Sequence, residues 1–330
     1  MWTALPQRGS PPSLLAAFVK GMQSGEGCGA KCDLRNVYER PKGRNAESLV
    51  DSATPCFKLH RIRGGLDLSE LDSPCASAGV PDLDRFLGGG VPRGTLTIVE
   101  ESGSERSSFP SYFVCMKFLK EGLLNGERGI ILLTEHSAQE YLEAGTLIKV
   151  DIASHRDSGE LTVIDAFSGY AGLVSQSLGS SADIVVESPT NTTKLFDVLR
   201  NLLATLVDEG YRNRIRLIVD TVSTLVTAAG FQKVWNLWLE LEPLHRTTGC
   251  TTMGIFYPGM HSPQEIESFE RLADGVVEFR GSEPAEEGIG ENFLQIKKIR
   301  RNMFLRERVP YTKSGWEIVF HPRNQRGKTY

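Results

Sequence analysis

The chain has 330 residues, of which 40% are hydrophobic and 24% are charged, so a globular protein with a packed core is expected. The net charge of −4 at pH 7 excludes an overall basic surface that would attract nucleic acid, and no apolar run approaches the roughly 18 residues needed to span a bilayer. Six cysteines in a chain of this length do not make a disulfide scaffold. We therefore expect a cytoplasmic protein with reduced thiols and no membrane partner.

Residues 1–76 differ in composition from the rest of the chain. They are rich in Gly, Pro, Ser and Arg and show no sustained hydrophobic period, so we predict an irregular or disordered segment. Within it, Cys28 and Cys32, and then Cys56 and His60, form two pairs whose internal spacing resembles that of zinc ligands. The 23-residue gap between the pairs is long, and the flanking residues are not those of a familiar zinc finger. A zinc site and free thiols in a loose segment both remain open.

From Ser77 onward, short apolar strands alternate with longer helical stretches. Helices are predicted near 107–124, 138–145, 192–209 and 232–246. The predicted strands are "TLTIVE", "GIILLT", "LTVIDA", "IRLIVD", "TTMGIFY", "GVVEFR", "FLQIKKI" and "WEIVF". This alternation predicts an α/β domain over 77–322, with a mostly parallel sheet sandwiched by helices and a flexible tail at 323–330. The last three strands have little helix between them, which indicates an antiparallel end of the sheet.

The stretch "IVEESGSERSSF", residues 98–109, lies between a strand and a helix, where a phosphate-binding loop of pattern G-x-x-x-x-G-K-[ST] would be expected. Laid on that pattern, Glu100 and Glu105 take the two glycine positions, Arg106 takes the lysine position and Ser107 takes the hydroxyl position. Only Gly103, a frequent extra glycine in such loops, is retained. The context therefore predicts a nucleotide site, whereas the residue types do not.

These replacements oppose phosphate binding for physical reasons. Glycines let backbone N–H groups point at phosphate oxygens, and glutamates place anions in the same cradle. Two like charges at about 4 Å repel by several kcal/mol at an effective dielectric constant near 20. If the loop backbone is intact, changing Glu100→Gly, Glu105→Gly and Arg106→Lys should restore binding in the micromolar to millimolar range, about −8 to −4 kcal/mol.

The segment "SAGVPDLDRFLGGGVPRGTLTIVEES" resembles the opening of KaiC-like domains of the RecA superfamily. Later segments fit the same family in the same order: "RIRLIVDTVSTLV", "RLADGVVEFRG" and "LQIKKIRRNMFLRERVPYTKSGWEIVF". The resemblance covers about 77–320 and implies a RecA-like, P-loop NTPase-type fold with a degenerate Walker A loop. It also implies that Asp220 ends the Walker B strand, where such a residue normally holds magnesium through water. Capping of the strand end is the alternative role for Asp220.

The family pattern suggests roles for three further residues. KaiC-like enzymes often carry paired carboxylates after the second strand, whereas this chain has Thr134 and then Glu135, which is a candidate general base or a solvated loop residue. Lys298 and Arg300 occupy the positions of a "KxR" motif that reaches the γ-phosphate of a neighbouring subunit. Without nucleotide they could meet the acidic loop 100–105 of a neighbour, face RNA, or belong to a solvated basic face.

The stretch "GGGVPRGTLTIVEES" is also similar to a segment of the fourth subunit of the Elongator complex. That subunit lacks a phosphate loop and belongs to a RecA-like hexameric ring that binds tRNA. Three functions are therefore considered. The first is a non-catalytic pseudo-ATPase subunit with a structural or regulatory role in a ring or signalling assembly. The alternatives are a weak or atypical KaiC-like ATPase and an Elongator-like tRNA-binding subunit. The first implies no cofactor (neither ATP, magnesium nor zinc) and partners that are copies of this chain or RecA-fold relatives.

Overall fold

The computed structural model describes residues 73–103, 109–170, 183–281 and 292–322, all within one compact unit that spans 55–330. The strands are β1 (Cys75–Ala76), β2 (Val91–Pro92), β3 (Leu96–Gly103), β4 (Arg128–Leu133), β5 (Leu161–Asp165), β6 (Asp183–Val185), β7 (Ile215–Asp220), β8 (Thr251–Phe256), β9 (Gly275–Gly281), β10 (Phe293–Ile299), β11 (Val309–Ser314) and β12 (Glu317–Phe320). The helices are α1 (Pro81–Phe86), α2 (Phe109–Leu124), α3 (Ala138–Leu147), α4 (Ala153–Asp157), α5 (Phe167–Tyr170), α6 (Thr192–Asp208), α7 (Val222–Ala229), α8 (Phe231–Thr248) and α9 (Pro263–Leu272).

The described strands form one ten-stranded sheet and a small pair. The large sheet has the order β12-β11-β10-β9-β3-β8-β7-β4-β5-β6, and β1 pairs with β2. Every pairing from β9 to β6 is parallel, whereas β9 through β12 pair antiparallel. The predicted fold class, a mostly parallel sheet covered by helices with a C-terminal antiparallel hairpin, is confirmed.

Helices cover both faces of the sheet and divide the buried residues into two clusters. On one face α2 contributes residues such as Phe113 and Phe118. On the other face α6 places Leu195, Leu199 and Leu203 against residues of α8 such as Trp238. The central strands, buried on both sides, are almost continuously apolar, which is why their sequences were recognisable.

Nine strands and α-helices of the described ranges lie outside the predicted pattern: β1, β2, β6, β11, α1, α4, α5, α7 and α9. Strand β11 contains Pro310 and ends in exposed polar residues, which is typical of strands near a sheet edge. The start of helix α9 does have a sequence signal. Ser262 is the N-cap, Pro263 is the first helical residue, and Glu265 completes a reciprocal capping box with Ser262. Strand β1 begins two residues before the predicted domain start at Ser77. The N-terminal residues 1–72, with the candidate zinc ligands, and the tail 323–330 lie outside the described residues.

A buried arginine ties the start of the domain to the sheet. Arg216 on β7 is 1% exposed and donates to both carboxylate oxygens of Glu127, at 2.7 and 3.1 Å. It also donates to the backbone oxygens of Ser77 and Phe118, each at 2.6 Å. Burial would raise the pKa of Glu127, but Arg216 and then Arg93 outweigh it and lower that pKa to about 2. The charge network thus offsets the desolvation of this carboxylate.

Replacing Gly122 with alanine is expected to destabilise the protein. A Cβ atom there would lie 2.2 Å from Arg216 Nε, so the buried guanidinium would have to move. We expect the free energy of unfolding to fall by about 1–3 kcal/mol, although alanine normally stabilises a helix relative to glycine. Urea unfolding at pH 7 measures this. Gly259→Ala is the matched control because its Cβ meets nothing within 4 Å. Equal stability of G122A and wild type would contradict the described packing.

Candidate functional site

Strand β3 continues three residues beyond its predicted end at Glu100. Residues 100–103 pair in register with Glu278, Phe279, Arg280 and Gly281 of β9. An extended strand alternates the direction of successive backbone N–H groups and uses them in the ladder, whereas a phosphate cradle needs consecutive N–H groups turned to one point. The predicted end of the strand at Glu100 is therefore wrong, because residues 101–103 continue it.

Gly103, the retained glycine, ends strand β3. Its φ is +71°, and a Cβ there would lie 2.2 Å from the backbone oxygen of Gly281. The close approach of the two strands explains this glycine. Glu105, Arg106 and Ser107, the other candidates of the phosphate loop, lie outside the described residues.

A carboxylate of the chain binds the start of the helix that follows the loop. Glu101 is 3% exposed, and its Oε1 accepts a hydrogen bond of 2.7 Å from the backbone N–H of Ser111 in the first turn of α2. The preceding residue is Pro110, which has no N–H to donate. The N-terminus of a helix favours an anion, and here the anion is the protein's own side chain.

Glu100 points to the opposite face of the sheet, into a cluster of charges. It is 0% exposed, and its Oε2 lies 2.7 Å from Lys297 Nζ. Lys297 also contacts Glu270 at 2.9 Å and Glu278 at 3.4 Å, and Ser102 Oγ donates to Glu278 at 2.5 Å. Burial raises the pKa of Glu100 to about 7 even though Lys297 opposes this. Three carboxylates therefore share one ammonium group.

The sequence pattern assigned no role to Lys297. The pairing of β10 with β9 shifts register between Ile296 and Lys298, so Lys297 is the extra residue of a β-bulge. Bulges redirect side chains, and this one belongs to the strand that places Lys297 against Glu100. A bulge depends on pairing with another strand, so the local sequence carried no signal for it. The contact of Lys297 with Glu100 lies within one chain, whereas the prediction concerned Lys298 and Arg300 and a neighbouring subunit.

Lys298 and Arg300 bind the end of α9 in their own chain. Lys298 Nζ donates to the backbone oxygens of Glu270 at 3.0 Å and Arg271 at 2.9 Å. Arg300 forms an ion pair of 3.0 Å with Asp274. Cations at these carbonyls stabilise a helix C-terminus. Their contact with a neighbouring subunit stays a prediction, and it would require them to leave these partners.

The carboxyl ends of β4 and β7 bring Thr134, Glu135 and Asp220 together. Thr134 Oγ1 accepts from the N–H of Thr221 at 2.8 Å and lies 3.1 Å from the backbone oxygens of Asp220 and Thr221. Glu135 accepts a hydrogen bond from Thr224 Oγ1. The threonine that replaces the first carboxylate therefore joins the two strand ends, and Glu135 is bound to α7.

Asp220 is 4% exposed. Burial, followed by the charges of Glu135 and Glu101, raises its pKa from 3.8 to about 8, while the nearby Tyr141 hydroxyl opposes the rise. No three His, Cys, Asp or Glu side chains in the described ranges are arranged to hold a metal ion. Glu101 and Glu135 are bound to Ser111 and Thr224.

A family model described as "ATPase: KaiC" matches residues 76–325. A UPF0273 protein of Aeropyrum pernix is 30% identical over 254 residues, covering 74% of this chain and 92% of that protein. A UPF0273 protein of Saccharolobus solfataricus is 26% identical over 227 residues, covering 67% and 73%. The crystal structure of a KaiC-like protein from Pyrococcus horikoshii matches 74% of this chain and 98% of its own, with a TM-score of 0.56 and 18% identity. No helix in the described ranges is long and apolar enough to cross a membrane.

Proposed function

The chain belongs to the KaiC family of ATPases, and from that premise we propose that it is a non-catalytic member, a pseudo-ATPase subunit with a structural or regulatory role in an assembly. The observation that supports the proposal most directly is that β3 extends to Gly103. Residues 100–103, where a phosphate loop would start, lie in the ladder with β9. The backbone groups of residues 100–103, the first four positions of the phosphate-loop pattern, are used to hold the sheet together.

The neighbouring carboxylates support the same conclusion. Glu101 binds the Ser111 N–H at the start of α2, which would otherwise be available to a phosphate. Burial and the charges of Glu135 and Glu101 raise the pKa of Asp220 to about 8, so magnesium would have to displace a proton there at pH 7. The site contains negative charge where the substrate would bring more.

A role in an assembly is supported by the surface formed by the 77–94 segment and the C-terminal hairpin, both of which we expect at subunit borders. They pack on each other: Asn302 Nδ2 donates to the backbone oxygen of Leu87 at 2.8 Å, and Leu305 N–H donates to that of Phe86 at 2.8 Å. Met303 between them is 87% exposed. A closed ring or a pairing with RecA-fold relatives would cover this surface.

The experiment is an ATPase assay with magnesium, run together with light scattering of the full-length chain. We expect no turnover above the background of an Asp220→Ala variant, and a mass above that of one chain at micromolar concentration or on addition of RecA-fold relatives. Turnover that disappears in D220A would contradict the non-catalytic proposal. A monomeric mass in every mixture would contradict the assembly role.

Two alternatives each have one observation in their favour. Glu135 and Asp220 do lie together at the carboxyl ends of β4 and β7, which favours the atypical ATPase, and the turnover assay decides it. Arg301, Arg306 and Arg308 form no ion pair with another described residue, which favours the tRNA-binding subunit. Binding of tRNA that weakens steeply between about 50 and 200 mM salt would support that second alternative.

A further inference from the structure

The charges around Glu100 do not balance. Lys297 is the one ammonium group among the described residues that contacts its carboxylate, and Glu270 and Glu278 contact the same ammonium at 2.9 and 3.4 Å. These four side chains come from β3, β10, α9 and β9, so the cluster joins three strands and a helix. The remaining neighbour in the sheet is Phe256 of β8, which is paired with Glu100 and carries no charge. Arg280 lies 3.9 Å from Glu278, so with every carboxyl ionised the cluster would hold one uncompensated negative charge in a largely buried setting.

The three carboxylates differ in their access to water. Glu100 is fully buried and Glu278 is 5% exposed, whereas Glu270 is 29% exposed. When an ionised carboxylate loses its partner, water stabilises its charge if the carboxylate is exposed. If the carboxylate is buried, the unpaired charge destabilises the fold. Glu270 is therefore the carboxylate that leaves the cluster at least cost. Glu100 cannot reach water in this way. Its Oε1 is buried and has no hydrogen-bond partner among the described residues.

We propose that this cluster is a proton-operated latch that holds the side of helix α9 to the sheet. With Glu100 neutral, Lys297 is shared by Glu278 and Glu270, and the contact to α9 is closed. When Glu100 loses its proton, it competes for the ammonium group at 2.7 Å, and Glu270 is released to solvent. The end of α9 stays in place because Lys298 binds the backbone oxygens of Glu270 and Arg271. The latch therefore alters the outer face of α9 without unfolding the helix.

The direction of the pH dependence follows from the burial of Glu100. Its pKa is raised from 4.5 to about 7, first by burial and with further contributions from Glu270 and Glu278 that Lys297 opposes. A group whose pKa is raised on folding stabilises the fold at low pH, and that contribution is lost as pH rises from about 4.5 through 7. The latch is closed below neutral pH and opens above it.

Hydrogen exchange of the full-length protein tests this, with Asp220→Asn as the parent because Asp220 titrates in the same range. We expect the protection of amides in Pro263–Leu272 to fall by about tenfold between pH 6 and 8.5, after correction for the intrinsic exchange rate. Glu100→Gln, which keeps the shape of the neutral carboxyl, should abolish this change. Helix α6, which contributes no residue to the cluster, is the internal control.

A second variant makes the test specific to the shared ammonium group. Glu270→Gln removes one carboxylate that competes for Lys297, so the pKa of Glu100 should fall. The midpoint of the pH titration, followed by tryptophan fluorescence or by hydrogen exchange, should therefore move to lower pH by roughly one unit. The same pH response in E100Q and in its parent would overturn the latch. An upward shift of the midpoint in E270Q would also overturn it, as would a loss of protection that is as large in α6 as in α9.

Discussion

Replacing Asp220 with asparagine is expected to stabilise the folded protein by about 2–4 kcal/mol at pH 8–9. The carboxyl is almost fully buried, and burial with the charges of Glu135 and Glu101 raises its pKa from 3.8 to about 8. Because the pKa is raised on folding, the wild-type protein loses stability as pH rises from about 4 through 8, and the asparagine variant does not. The difference between the two should be small at pH 3.5 and largest above pH 8. Urea unfolding at several pH values, without added metal, measures it.

Asp165→Asn is the matched control, since Asp165 also ends a buried strand. Its carboxylate accepts from Ser168 N–H at 2.7 Å, Ser168 Oγ at 2.7 Å and Ala138 N–H at 3.3 Å. Losing an acceptor there should destabilise the protein by about 1–2 kcal/mol. An enzyme that uses Asp220 to hold magnesium would behave differently: D220N would lose stabilisation by Mg-ATP. Destabilisation by D220N at pH 9 would contradict the account of Asp220 as a buried carboxyl whose pKa is raised.

The triple variant Glu100→Gly, Glu105→Gly, Arg106→Lys is expected not to bind Mg-ATP more tightly than about 1 mM, or about −4 kcal/mol. Substitution changes side chains, whereas residues 100–103 have a strand backbone paired with β9. The residue pattern alone predicted a gain of binding, because it treated the loop backbone as intact. The helix start is also still bound by Glu101, which this variant leaves in place.

Adding Glu101→Gln to the triple variant provides the control for the contact between Glu101 and the start of α2. If the side chain at 101 were the main obstacle, the quadruple variant would bind nucleotide and the triple variant would not. We expect neither to bind, with circular dichroism showing that both remain folded. Micromolar affinity in the triple variant would show that the strand yields readily to a loop, and the backbone argument would then be wrong.

The parallel core of the fold was predictable because its strands are buried on both faces. Segments such as "IRLIVD" and "GIILLT" are almost continuously apolar, and in a chain of alternating strands and helices this pattern is typical of the inner strands of a parallel sheet. Strand β11 was missed because half of it faces solvent with polar residues. The extension of β3 was missed because "EESG" has the composition of a turn and becomes a strand only through pairing with β9.

The candidate site was predictable in position but not in its contacts. Asp220 and Glu135 lie at the carboxyl ends of parallel strands, as their places after "LIVD" and "LLT" indicated. The sequence could not show that Glu100 and Glu101, which are adjacent, face opposite sides of the sheet and bind different partners. Nor could it reveal Lys297 as the partner of Glu100, since 197 residues separate them and a bulge directs the contact.

The most direct measurement of the central claim is calorimetry of the unmodified protein with magnesium and a non-hydrolysable ATP analogue at pH 7. We expect no binding heat at protein concentrations up to about 100 μM, which corresponds to a Kd weaker than about 1 mM. A saturable heat with one site per chain and a micromolar Kd would show that the chain binds nucleotide in spite of the strand at residues 100–103. That result would contradict the assignment of this KaiC family member as a protein without a working nucleotide site.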